Sequence, residues 1–230
     1  MAMNIVDKID NLVLIQNVIV SVYDKSALDQ FIPGLLSINP DIKFYSTGGT
    51  YQHINNILGS NAQKHLIAIS DYTGQPEIQG GLVKTLDFKI YLGLLSETYN
   101  QAHVKDISRV QGINFDMVVG NLYPFLTTIS SPDVTVEKAR ANIDIGGPCM
   151  IRASAKNYLR VAVVTDIQDY SMILEKLENN NSKLDLNTRF TLAKKAFYHT
   201  AQYDKTISEY LNNIEFNEVN KCYRFIKGEE

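Results

Sequence analysis

The chain has 230 residues, of which 45% are apolar and 20% charged, and its formal net charge is −3. A chain of this size and composition can bury its own core, which excludes disorder as its main state. Its 22 basic residues do not exceed its 25 acidic ones, so there is no cation surplus for nucleic acid. The apolar runs are too short to span a membrane. We therefore expect neither nucleic acid nor a membrane as a partner.

The cysteines and histidines give no sign of a metal site. Cys149 and Cys222 lie far apart, and the four histidines have none of the spacings typical of zinc ligands. The first ten residues place acids where a secretory signal would need an apolar core, which predicts a cytoplasmic protein.

Short apolar runs alternate with helical periods along most of the chain. Strands are predicted at residues 17–23, 43–46, 65–70, 115–122 and 160–165. Helices are predicted at residues 50–58, 136–143, 149–157, 168–179 and 187–212, with another beginning at Ala27 and kinked or split at Pro33–Gly34. This alternation predicts an α/β fold, a mostly parallel sheet flanked by helices, with ligands at the carboxyl ends of the strands.

The same pattern predicts the organisation of the chain. We expect an N-terminal extension over residues 1–16, the main α/β domain over 17–157, a last strand and C-terminal helices over 158–215, and a tail without periodicity over 216–230.

The residues that follow the strands are the candidates for chemistry. The turn Thr47-Gly48-Gly49-Thr50, beside Ser21 and Lys25, has the amides and hydroxyls of a phosphate cradle, or is a plain turn between strand and helix. The lysine Lys84 follows the diglycine Gly80–Gly81 in a long loop, where it reaches a ligand oxyanion or remains in solvent.

Two further segments carry polar side chains at element ends. Asn121 and Tyr123 follow a strand, where they contact a base and pass a proton, or only shape a turn. Asp144 precedes the helix that Gly146-Gly147-Pro148 opens, and Lys156 ends it. The helix start beside Asp144 is either an anion site, or Asp144 and Lys156 are simple helix caps.

The motifs SVYDK, STGGT, GGLVKTL, NLYPF, NIDIGGPCMIRASAKN and KAFYHTAQYD occur here in this order. Over about residues 17–212 the chain resembles the IMP cyclohydrolase domain of the bifunctional purine enzyme that also carries AICAR transformylase. The resemblance implies a methylglyoxal-synthase-like fold and an enzyme that closes FAICAR to IMP with loss of water, without a cofactor. It also implies a homodimer, and a separate AICAR transformylase is a further expected partner.

The resemblance also assigns roles to residues. The catalytic group is Lys84, Tyr123, Asp144 and Lys156, and within it we expect Asp144 and Lys156 to handle the amide proton. Substrate and its 5′-phosphate would be bound by Ser21, Lys25, Thr47, Gly48, Gly49, Thr50, Thr85, Asn121, Ile145, Gly146 and Gly147.

The chain departs from the family at three positions near this site. Leu82 replaces an arginine, Asp87 a histidine and Tyr23 a serine. The first two remove a fixed positive charge and add a negative one, which keeps a non-catalytic nucleotide-binding or partner module open as the alternative. A methylglyoxal synthase is a weaker alternative, because NLYPF and RASAKN are typical of the purine branch.

Overall fold

The fold is built on a parallel sheet whose strands are short runs of branched apolar residues. A computed structural model describes residues 5–76 and 85–226 of the chain. Its strands are β1 (Leu12–Leu14), β2 (Asn17–Val22), β3 (Lys43–Ser46), β4 (Leu66–Ala68), β5 (Met117–Asn121), β6 (Ala162–Val164) and β7 (Lys183–Asp185). The main sheet has the order β4-β3-β2-β5-β6, and all its neighbouring strands run parallel. The predicted parallel sheet is confirmed.

Helices cover both faces of this sheet. They are α1 (Leu28–Ile38), α2 (Gly48–Leu58), α3 (Ala62–His65), α4 (Ile69–Thr73), α5 (Phe88–Leu95), α6 (Gln101–Arg109), α7 (Phe125–Ile129), α8 (Val136–Ala141), α9 (Gly146–Lys156), α10 (Tyr170–Asn179), α11 (Leu186–Asn212) and α12 (Phe216–Cys222).

Alternate side chains of each strand enter different cores, as the twofold repeat of a strand requires. Val18 and Val20 of β2 pack with α1, α2 and α10 on one face of the sheet. Ile19 points to the other face, where α5 and α9 contribute Ile90 and Met150. The helix α11 packs on α9 and β6 on that second face. Burial on both faces explains why the strands have no polar alternation.

Several elements differ from the sequence-based expectation. The helix α1 continues through Pro33 as one element, so of the expected kink or split the split is wrong, and the kink stays a prediction. The strand expected at 65–70 is shorter, because α3 ends at His65 and α4 begins at Ile69. The helices α5 and α6 were not predicted at all.

Both chain ends of the described structure contain regular elements. The expected extension forms β1, which pairs antiparallel with β7. The expectation that residues after 215 lack periodic structure is wrong for Phe216–Cys222, which form α12. Within residues 5–76 and 85–226, no helix has the length and apolar character that crossing a membrane requires.

Candidate active site

The glycine turn after β3 lies beside the loop after β2. Gly48 has a φ of 55°, a conformation that glycine adopts without strain, and it begins α2 with Thr47 at the N-cap. A Cβ on Gly49 would lie 3.9 Å from Cε of Lys25, so the lysine stem runs along the turn. The first amides of α2 have no partner within the helix. A lysine beside free helix amides is a typical arrangement for binding an anion, so the predicted phosphate site has the groups that it needs.

The hydroxyl of Thr50 ties this turn to β2. It donates to the carbonyl oxygen of Val22 at 2.9 Å and accepts from the Val22 amide at 3.3 Å. Thr50 is buried and its hydroxyl serves the fold. Its role in phosphate binding stays a prediction for its backbone amide. Ser21 lies one residue before Val22 and is partly buried.

The side chain of Asn121 fixes the loop after β2. Its Oδ1 accepts hydrogen bonds from the amides of Tyr23 at 2.7 Å and Asp24 at 2.9 Å, and its Nδ2 donates to the Asp24 carbonyl at 2.9 Å. The Lys25 ammonium donates to the Tyr23 carbonyl at 3.1 Å. Asn121 therefore shapes the exit of β2. Its contact with a purine base remains a prediction, for which one amide hydrogen is left.

Two tyrosine rings stand at the exits of β2 and β5. The rings of Tyr23 and Tyr123 have centroids 5.2 Å apart and planes inclined by 53°. Tyr23 is 50% and Tyr123 53% exposed, so both rings border open space.

The amino terminus of α9 closes the site on the side of β5. A Cβ on Gly147 would lie 2.5 Å from Oδ2 of Asp144, and one on Gly146 would lie 2.7 Å from Oγ1 of Thr85. Only glycine permits these approaches. Thr85, the first described residue after the long loop, is therefore brought against the start of α9. Ile145, the N-cap residue, is exposed.

Asp144 is held by groups on two sides. Its Oδ1 accepts a hydrogen bond from the Gly147 amide at 3.0 Å, and its own amide donates to the Tyr203 hydroxyl at 2.8 Å. Burial raises the pKa of Asp144, and the Gly147 hydrogen bond opposes that rise. Asp144 therefore caps a free amide at the start of α9, as one of the two interpretations expected. A capping carboxylate with a raised pKa can still take up a proton.

Lys156 lies at the opposite end of α9. The helix has 11 residues, so its two ends are roughly 15 Å apart. The next residue, Asn157, donates to the carbonyls of Leu94 and Ser96, at the amino-terminal edge of the sheet. Within one chain, a helix over β5 therefore carries Lys156 away from Asp144 and from the carboxyl ends of the strands. Their shared handling of the amide proton stays a prediction.

Of the positions at which the chain departs from the family, Asp87 lies within the described residues and Leu82 does not. Asp87 is the N-cap of α5, and its carboxylate accepts from the Lys89 amide at 2.7 Å. A helix amino terminus stabilises that negative charge. Leu82, Lys84 and the glycines Gly80 and Gly81 lie outside the described residues.

A cavity of about 720 Å³ adjoins the site beyond Tyr23. Its wall includes Tyr23, Asn121 and Leu122 on the side of the site, and Asp166, Lys195 and His199 on the far side. The Lys195 ammonium lies 2.7 Å from both oxygens of Asp169, and this contact raises its pKa. Burial lowers the pKa of His199, whose Nε2 is buried without a hydrogen-bond partner among the described residues.

The contribution of α11 to this region was not predicted from the sequence. Tyr203, Lys195 and His199 all belong to the motif KAFYHTAQYD, whose side chains carry no predicted role. The signal that would have found them is the presence of hydroxyl, ammonium and imidazole groups on successive turns of one long helix.

Comparison with known proteins shows the family of this chain. The MGS-like domain family matches residues 27–149, and the AICARFT/IMPCHase bienzyme family matches residues 154–229. The bifunctional purine biosynthesis protein PurH of Neisseria meningitidis serogroup C is 44% identical over 200 residues, covering 87% of this chain and 37% of its own length. PurH of a Thermoanaerobacter species is 47% identical over 206 residues, covering 87% of this chain and 39% of its own length.

A solved structure supports the fold. The crystal structure of ForH superposes with a TM-score of 0.70 at 28% identity, covering 85% of this chain and 98% of that one. The chain spans about two fifths of the length of the PurH proteins it matches, 37% and 39% in the two cases given. The family matches and the parallel sheet lead to one conclusion. This chain belongs to the MGS-like domain family, and its C-terminal part matches the AICARFT/IMPCHase bienzymes.

Proposed function

We propose that this chain is an IMP cyclohydrolase, which closes the purine ring of FAICAR to give IMP and water. The observation that carries the proposal is the meeting of three segments at one edge of the sheet. Lys25 runs along the glycine turn, Thr85 contacts the start of α9, and Asp144 is held beside it. The similarity to proteins named for purine biosynthesis supports the same reaction.

The proposed chemistry requires orientation and proton transfer. The carboxamide nitrogen of FAICAR attacks the formyl carbon, a C–N bond forms, and the formyl oxygen departs as water. One proton of that water comes from the attacking nitrogen and the other from the formamide nitrogen. Both reacting groups belong to one molecule, so holding them in contact supplies much of the acceleration.

The residues divide this work between them. Lys25 and the amides of the glycine turn bind the phosphate. Asp144 takes the proton of the attacking nitrogen, a role that its raised pKa favours, because a stronger base accepts the proton more readily. Tyr123, at the mouth of the site, assists in the proton transfer. Lys84 stabilises the charge that develops on the formyl oxygen.

We also propose that the chain acts in the cytoplasm as a homodimer and that a separate AICAR transformylase supplies its substrate. In a dimer, Lys156 of one copy could reach the active site of the second copy. Within its own chain Lys156 lies at the far end of α9 from Asp144.

The test is the conversion of FAICAR to IMP by the purified chain, followed by absorbance. Lys84→Ala and Asp144→Asn should each lower turnover by about 10²–10³, the loss typical of a group that acts in the transition state, while IMP still binds. Lys205→Ala, an exposed lysine paired with Glu209 on α11, is the control and should turn over normally. Normal turnover in either site variant contradicts the mechanism.

The alternative is a non-catalytic nucleotide-binding module, which the change of an arginine to Leu82 favours. The capping role of Asp87 weakens that alternative, because the new negative charge has a structural function at α5. Binding of IMP without turnover of FAICAR would support the module. A rise in activity in Leu82→Arg would then assign the lost turnover to that position.

A further inference from the structure

Tyr23 and Tyr123 are two half-exposed rings that contact each other across the gap between β2 and β5. Their centroids are 5.2 Å apart, within the range of favourable aromatic pairs. Because each ring is about half exposed, burial in a core does not fix either of them. The contact between the rings is therefore a main restraint on their orientation.

The backbone that carries Tyr23 is fixed more firmly than its ring. Asn121 binds the amides of Tyr23 and Asp24, and Lys25 binds the Tyr23 carbonyl. Asn121 is also two residues from Tyr123, so one side chain sets the spacing of the two tyrosines. The Tyr23 ring consequently has a defined place from which to restrain Tyr123.

The far side of Tyr23 faces the cavity of about 720 Å³ that also includes Asp166, Lys195 and His199 in its wall. Removal of the Tyr23 ring would therefore leave open space next to Tyr123 in place of a packed surface. A half-exposed tyrosine beside such space samples several rotamers, and only some of them direct its hydroxyl at a bound substrate.

We infer that Tyr23 is a positioning residue that holds the Tyr123 ring in the orientation used during ring closure. The inference rests on the proposed function and on the role of Tyr123 in it. Tyr23 acts through its ring and not through its hydroxyl, because the contact on which the inference depends is between the rings.

The experiment measures FAICAR turnover and IMP binding for Tyr23→Ser and Tyr23→Phe, each alone and combined with Tyr123→Phe. Tyr23→Ser should lower kcat by about twofold to tenfold, as expected for the loss of one aromatic pair, with little change in IMP affinity. Tyr23→Phe should restore kcat, because it keeps the ring. With Tyr123→Phe, which lacks the hydroxyl to be positioned, Tyr23→Ser should cause no further loss.

Three results would overturn the inference: normal kcat in Tyr23→Ser, equal losses in Tyr23→Ser and Tyr23→Phe, or the same loss whether or not Tyr123 is intact. A second measurement is independent of turnover. The NMR order parameter of the labelled Tyr123 ring should fall in Tyr23→Ser and stay high in Tyr23→Phe. An inactive wild-type chain contradicts the proposed function, whereas an active one with an unchanged Tyr123 ring in Tyr23→Ser contradicts only this inference.

Discussion

The two edges of the central sheet are built in opposite ways. At the amino-terminal edge, Arg160 donates to the carbonyls of Gly93, Ser96 and Phe115 and lies 3.6 Å from the Asp116 carboxylate. At the carboxyl-terminal edge, Tyr23 and Tyr123 are half exposed and Asp144 has a raised pKa.

A second buried arginine strengthens the contrast. Arg189 is fully buried and donates to five backbone carbonyls, those of Asp10, Asn11, Tyr158, Leu159 and Leu184. Through these bonds it joins the N-terminal segment to the body of the protein. Polar groups at the amino-terminal edge thus bind the fold together, whereas the carboxyl-terminal edge leaves Tyr23 and Tyr123 half exposed.

The largest effect is expected at the amino-terminal edge. Arg160→Met removes the donors to three carbonyls and leaves Asp116 buried without its cation. The free energy of unfolding should fall by about 3–5 kcal/mol, as for other broken buried pairs. Urea denaturation measures it, with Arg109→Met as control, since Arg109 pairs with Asp106 in solvent. An equal fall in the free energy of unfolding in both variants would show that the Arg160 network does not stabilise the fold more than a surface ion pair does.

An experiment with mixed dimers tests whether Lys156 acts in the active site of the second copy. Lys156→Ala and Asp144→Asn should each be nearly inactive, whereas dimers that carry one copy of each should regain about half of wild-type turnover, because one of their two sites is intact. Two affinity tags isolate the mixed dimer. No recovery in the mixed dimer would contradict the delivery of Lys156 by a second copy.

The glycine turn predicts a smaller effect on binding. Lys25→Ala should weaken IMP binding about tenfold or more, since charge-assisted hydrogen bonds to phosphate are strong, and the remaining binding should depend less on salt. Calorimetry at two salt concentrations measures both effects. Unchanged affinity in Lys25→Ala would mean that the phosphate binds elsewhere.

The smallest effect concerns stability and pH. Because the pKa of Asp144 is raised in the folded state, the folded chain binds its proton more tightly than the unfolded chain does. Stability from this group is therefore present at low pH and lost as pH rises from the unfolded pKa through the folded one. Asp144→Asn should be more stable than wild type at neutral pH, and the difference should vanish in acid. A variant less stable than wild type at neutral pH contradicts the raised pKa.

The sequence predicts well the features that adjacent residues determine, and poorly the contacts between residues that are far apart in the chain. The strand β3 and the glycine turn after it follow from adjacent residues, as does the helix opened by Gly146. The network around Arg160 was not predicted, because its acceptors are backbone carbonyls contributed by residues 93, 96 and 115. The motif contains both Asp144 and Lys156, but adjacency in the motif does not show that the helix between them separates the two residues within one chain.

The most direct test of the account is to titrate the ¹⁵N-labelled chain with IMP and follow its backbone amides by NMR. The account predicts large shifts at Gly48, Gly49, Thr85, Gly146 and Gly147, and none at Phe115 or Arg160. Shifts confined to the amino-terminal edge, or to Asp166 and His199 in the adjoining cavity, would contradict a nucleotide site at the glycine turn and the start of α9.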